Sequence, residues 1–66
     1  MALPIKIRLA AARVNAGLSQ EDMAESMKVS RITVANWENG KTRIGEAQLT
    51  MYCDICNFPK ENIFLP

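Results

Sequence analysis

The sequence predicts an all-α fold of five short helices around one compact core, and three observations carry that prediction. Residues 20–39, QEDMAESMKVSRITVANWEN, hold the apolar pattern of two short helices joined by a tight turn. Met23, Ala24 and Met27 share one face of the first, and Val34 and Trp37 share one face of the second, at the three- and four-residue spacings that bury a helix stripe. Outside that unit, Ile5, Leu9, Ala12 and Ala16, and then Leu49, Tyr52, Cys53 and Cys56, repeat at the same spacing, and no segment reads as strand. Finally, 66 residues bury only about 60% of the unfolded chain's surface, so the helices must share a single core and residues 1–66 form one domain.

Helix one is expected over about 5–16, with Pro4 at its start, where no amide is lost, and Gly17 as its stop. Ser19 stands three residues before Asp22, the spacing of a capping box, and begins helix two over 20–27. A small residue at Ala24 lets the next helix cross closely, and Val29 packs into the corner. Ser30 caps helix three over 30–38, which Asn39 and Gly40 end. Helix four spans about 46–56, and Asn57 can take the left-handed conformation that terminates it. A fifth helix over 59–64 is expected to fold Ile63 and Phe64 over the core.

The formal charge of +1 hides an asymmetry. Residues 1–45 carry seven cations against four anions, or +3, whereas residues 46–66 carry one against three, or −2. The positive half contains the two-helix unit. No apolar run suits a signal peptide or a membrane span, and a cytoplasmic location is expected. Cys53 and Cys56 form the only CxxC; with no histidine and no third cysteine, the chain cannot supply four zinc ligands. The pair reads as two small core residues, with a redox pair or an intermolecular metal site as the alternative. No metal and no cofactor are expected. An enzyme is disfavoured, since histidine, paired buried carboxylates and a glycine-rich phosphate loop are all missing from the sequence.

Arg13, Leu18-Ser19-Gln20, Ala24, Val29-Ser30 and Trp37-Glu38-Asn39-Gly40-Lys41, in that order, carry a resemblance to the Cro and phage-repressor type of helix-turn-helix protein, of the xenobiotic-response-element-like kind. The resemblance covers nearly the whole chain, places the helix-turn-helix at 20–39 and implies a five-helix repressor-like DNA-binding domain. There are two departures. Lys28 stands in the inter-helix turn where the family usually has glycine, and Thr42-Arg43-Ile44-Gly45 follows Lys41 where a proline usually leads into helix four.

At about 100° per residue, Ile32, Ala35, Asn36 and Asn39 project from helix three away from Val34 and Trp37, with Arg31 on the flank of the first turn. An asparagine amide matches the N6 and N7 edge of adenine, arginine matches guanine, and small apolar groups touch thymine methyls. The resemblance implies base readers at Arg31, Ile32 and Asn36, with Ala35 able to contribute. Gln20, Ser30, Thr33, Asn39, Lys41 and Arg43 suit phosphate contacts, although Ser30 is equally explained as a cap and Lys41 and Arg43 as plain surface charge. Arg13 and Glu38 each lie about 40° from the apolar centre of their helices. The resemblance implies that they form a partly buried ion pair, with Arg13 also free to touch DNA.

Met51 and Ile55 form a second apolar row on helix four, and with Phe58, Phe64 and Leu65 they suggest a homodimer interface; the alternative is that the core absorbs them. One helix reads only a few base pairs, so two copies on a two-fold symmetric operator are the physical solution. The expected function is a sequence-specific regulator of double-stranded DNA, a repressor acting as a dimer, with no small-molecule ligand and no membrane partner. The alternative is an antitoxin or accessory module that binds a protein first and DNA second. Glu21, Asp22 and Glu25 on helix two suit a contact with RNA polymerase, or else simply complement the helix dipole.

Overall fold

A computed structural model describes residues 6–66. Four α-helices follow one another: α1 (Leu9–Asn15), α2 (Gln20–Met27), α3 (Arg31–Asn39) and α4 (Glu46–Cys56). The count is four rather than the expected five. Leu9, Ala12, Met23, Ala24, Met27, Val34, Trp37, Leu49, Tyr52, Cys53 and Cys56 form the core, joined by Ile44 and Ile63 from the connecting segments. α2 and α3 pack on each other, and α4 lies against both α1 and α2.

Helix one is shorter than its periodicity predicts. Arg8 is extended (φ −78°, ψ 159°), and α1 begins only at Leu9. The cause is pairing: the Ile7 amide donates to Asn62 O at 2.9 Å and Ile7 O accepts the Phe64 amide at 2.8 Å, an isolated parallel bridge between Ile7 and Ile63. A backbone whose donor and acceptor both serve another segment cannot also sit in a helix. The bridge is isolated, and no strand forms among the described residues, in line with the sequence. Ala16 lies beyond α1 and is exposed, so it leaves the predicted stripe. Pro4 and Ile5 lie outside the described residues.

The predicted fifth helix is a single 3-10 turn, Lys60–Asn62. Ile63 is drawn into the bridge, which leaves only three residues after Pro59, too few for an α-helix. Ile63 is buried as expected. Phe64 is not: it is exposed, with the Arg8 guanidinium 5.2 Å above its ring.

All four helices end alike. Gly17, Lys28, Gly40 and Asn57 have φ of 78°, 57°, 76° and 54°. The next residue in each case donates its amide to the carbonyl five positions back: Leu18 to Arg13, Val29 to Ala24, Lys41 to Asn36 and Phe58 to Cys53, at 2.9 to 3.1 Å. This is the Schellman arrangement, usually sealed by an apolar residue after the left-handed one. Leu18, Val29 and Phe58 provide that seal, packed against the core. Lys41, at the exit of α3, is the exception and is exposed.

The segment leading into α4 is fixed without a proline. Ile44 is buried, and Gln48 Oε1 accepts the Gly45 amide at 3.2 Å.

Candidate nucleic-acid interface

α3 is gripped from beneath. Val34 and Trp37 bury its inner face, and Glu38 extends that grip with a fully used carboxylate. Its Oε1 accepts from Arg13 Nη2 at 3.2 Å and Gln20 Nε2 at 3.0 Å; its Oε2 accepts from Arg13 Nε at 2.8 Å and the Tyr52 hydroxyl at 2.7 Å. Arg13 also donates to Leu18 O at 2.8 Å, and Tyr52 Oη lies 3.0 Å from Leu9 O. The expected ion pair is thus formed, with side chains 11% exposed at Arg13 and 3% at Glu38. Burial alone would push the Glu38 pKa up, but the donors from Arg13, Gln20 and Tyr52 outweigh it and hold the carboxyl below its ordinary value. Burial, reinforced by Glu38, raises the Tyr52 phenol.

Tyr52 is the residue that periodicity alone misses. Its spacing makes it one more member of the α4 stripe, yet its hydroxyl ties α4 to the end of α3. The signal was present as the only hydroxyl on that stripe, because a buried phenol needs a partner.

Gln20 also has a more specific place than a surface amide. A carboxylate only accepts, so the Gln20 nitrogen faces Glu38 and its oxygen faces outward, where Arg31 Nη1 donates to it at 3.3 Å. Arg31 on the rim of α3 is therefore linked through Gln20 and Glu38 to Arg13 and Tyr52. One Gln20 amide hydrogen remains for another acceptor.

Arg31 and Ile32 are exposed in the first turn of α3, Ala35 and Asn36 are half-buried one turn on, and Asn39 is exposed at the end. The two capping residues serve the helix first. Ser30 Oγ accepts the Thr33 amide at 3.1 Å and lies 2.8 Å from Thr33 Oγ1, so one hydroxyl hydrogen of the pair is left over. Lys41 and Arg43 are exposed beyond the exit of α3. Lys41 replaces the apolar seal found at the other three helix ends, so packing does not explain its identity.

On α2, Asp22 closes a reciprocal capping box with Ser19: each backbone amide is held by the other side chain at 3.0 Å. Those bonds lower the Asp22 pKa. Glu21 and Glu25 stay exposed beside it.

The five apolar residues expected at a dimer surface fall into two groups. Met51 is 44% exposed and shares one stripe of α4 with Ile55, while Ile55 and Phe58 are both half-buried and pack against the core. Phe64 instead sits under Arg8, and Leu65 packs inward beside Trp37 and Ile44. Cys53 and Cys56 are buried free thiols; burial pushes both up, Cys56 to about 11, which suppresses thiolate chemistry. Among the described residues no helix is long and apolar enough to cross a membrane, and no group of three histidine, cysteine or acidic side chains could hold a metal.

No curated protein and no solved structure matches the chain. The helix-turn-helix family matches it over residues 9–61, a span that runs from the first residue of α1 through the 3-10 turn. That family binds DNA and is not a family of enzymes. With the ordered residues of the resemblance, the buried Arg13–Glu38 pair and a match across most of its length, the chain belongs to the helix-turn-helix family of the Cro and phage-repressor type and is a DNA-binding regulator of transcription.

Proposed function

We propose that the protein is a sequence-specific repressor that occupies a two-fold symmetric operator as a homodimer. Arg31, Ile32, Ala35 and Asn36 read base edges in the major groove, while Gln20, Ser30, Thr33, Asn39, Lys41 and Arg43 hold phosphates. The observation that carries this reading is the contrast between the two faces of α3: one is locked by Val34, Trp37 and the Glu38 cluster, and the other offers a guanidinium, a carboxamide and an apolar side chain that the core does not use. Rigid support under an open, chemically mixed face suits base readout, where misplacement weakens every directional bond.

Nine residues of helix span too few base pairs to select one site, which favours pairing through exposed Met51 and the open sides of half-buried Ile55 and Phe58. A domain seated in this way blocks transcription by occupying the promoter. Selection of bound duplexes from a random pool tests the proposal, with sedimentation of the resulting complex. The expected result is an inverted repeat with half-sites about 34 Å apart, one helical turn, bound by two copies. Enrichment of no sequence, or of a single half-site bound by a monomer, would overturn it.

A further inference from the structure

Ile32, at 65%, is the most exposed large apolar side chain among the described residues. A lone exposed apolar residue needs no explanation, and Val14 on α1, at 64%, is such a residue. The setting of Ile32 differs. Arg31 precedes it, Ala35 and Asn36 follow one turn later on the same side of α3, and Val34 and Trp37 hold the opposite side in the core. The Asn36 carboxamide makes no hydrogen bond among the described residues, so a polar group free to pair lies beside Ile32.

Isoleucine carries no donor or acceptor, so it can read only an apolar feature of a base. In the major groove that feature is the C5-methyl group of thymine. The same methyl on the same ring carbon distinguishes 5-methylcytosine from cytosine. Thymine and 5-methylcytosine differ at C4, an acceptor in one and a donor in the other, and Ile32 has no atom that senses that difference.

We infer that Ile32 is a specificity residue for the C5-methyl group of a pyrimidine, thymine and 5-methylcytosine alike, so that operator occupancy responds to cytosine methylation at the position it covers. The inference rests on the operator reading above. Covering one methyl group with an apolar side chain changes affinity about fourfold per half-site, and about fifteenfold when both half-sites carry it. The hydrogen bonds assigned to Arg31 and Asn36 are independent of that methyl.

The test uses the selected operator, with each thymine replaced singly by deoxyuracil, which removes only the methyl, and each cytosine replaced singly by 5-methylcytosine. At one position per half-site, the methylated base should bind about fourfold more tightly than its unmethylated counterpart. When that position is rebuilt with cytosine, 5-methylcytosine should restore the same ratio. Ile32→Ala should bring both ratios close to one while keeping the helicity of the wild type and a preference for the operator over scrambled DNA. A wild-type protein that binds the operator yet senses no methyl at any position would overturn the inference and leave the operator reading standing, as would an Ile32→Ala variant that keeps both ratios. Failure of the wild type to prefer any duplex over scrambled DNA would defeat both.

Discussion

The Tyr52 hydroxyl donates to Glu38 Oε2 at 2.7 Å, and this single bond joins the middle of α4 to the end of α3. Glu38 is nearly sealed from water and its four acceptor positions are all filled, so it tolerates the loss of a donor poorly. Tyr52→Phe should cost about 1.5–3 kcal/mol. Arg13→Ala should cost about 3–5 kcal/mol, because it leaves the carboxylate buried without its counter-charge. Urea unfolding of the two variants checks the order, and Tyr52→Phe proving the worse would mean that Arg13 is not the principal partner.

The same cluster sets a pH dependence with a definite sign. The folded-state pKa of Glu38 lies below its ordinary value of 4.5, so its contribution is fully present above that value and is lost as pH falls through the depressed folded pKa. Stability measured from pH 7 down to pH 3 should therefore drop less for Glu38→Gln than for the wild type, although the variant starts lower. Parallel curves would show that Glu38 has the same pKa folded and unfolded.

Lys28 provides a stability test free of DNA. A lysine at φ 57° pays a conformational cost that glycine avoids, partly offset because glycine also frees the unfolded chain. Lys28→Gly should raise stability by up to about 1 kcal/mol, and the β-branched Lys28→Val should lower it. Gly40 is the counterpart in which glycine is present: its φ is 76°, and an added Cβ would stand 2.9 Å from Pro66. Gly40→Ala should lose about 1–2 kcal/mol through the backbone alone, and removing Pro66 should relieve only the steric part of the damage. Thermal melting of these variants is the measurement, and a Lys28→Gly protein that melts below the wild type would remove the strain argument.

Local chemistry explains which parts of the fold were legible in the sequence. Ser19 with Asp22, Ser30, Gly17, Gly40 and Asn57 each act within a few residues, and each caps or ends a helix where its type predicts. The start of α1 and the fate of residues 59–64 were not legible, since both depend on Ile7 meeting Ile63 across nearly the whole chain, a pairing that leaves no periodic mark. The candidate interface divides in the same way. The outward face of α3 follows from 100° steps around a helix, whereas the link from Arg31 through Gln20 to Glu38 needs α2 and α3 docked before it exists.

The α4 surface gives a sharper dimer test than the C-terminal residues do. Leu65 packs beside Trp37 and Ile44, so a charge there would damage the fold as well as any interface. Met51 is exposed and lies within the apolar row. Met51→Asp should keep its helical signal and melting point, sediment as a monomer, and bind an operator half-site almost as well as the wild type does, while losing the added affinity of the second half-site. A Met51→Asp protein that still binds the full operator as a dimer would move the interface elsewhere.

Reading and holding can be separated, because bidentate contacts to base edges discriminate by about 1–3 kcal/mol each whereas phosphate contacts act almost equally on every sequence. Asn36→Ala and Arg31→Ala should lose affinity for the operator and little for scrambled DNA. Gln20→Ala should show both losses, a uniform one from the phosphate it is assigned and a sequence-dependent one, since Gln20 also accepts from Arg31 and fixes its approach. Lys41→Ala should weaken both duplexes together and reduce the slope of log affinity against log salt by roughly one unit, as one fewer counterion is released. Lys41 gives up no packing in this exchange, because it occupies an exposed position where Leu18, Val29 and Phe58 seal the other helix ends. Titrations of each variant on operator and scrambled duplexes at several salt concentrations decide the matter; indistinguishable specificity ratios and salt slopes for Asn36→Ala and Lys41→Ala would take α3 out of the major groove.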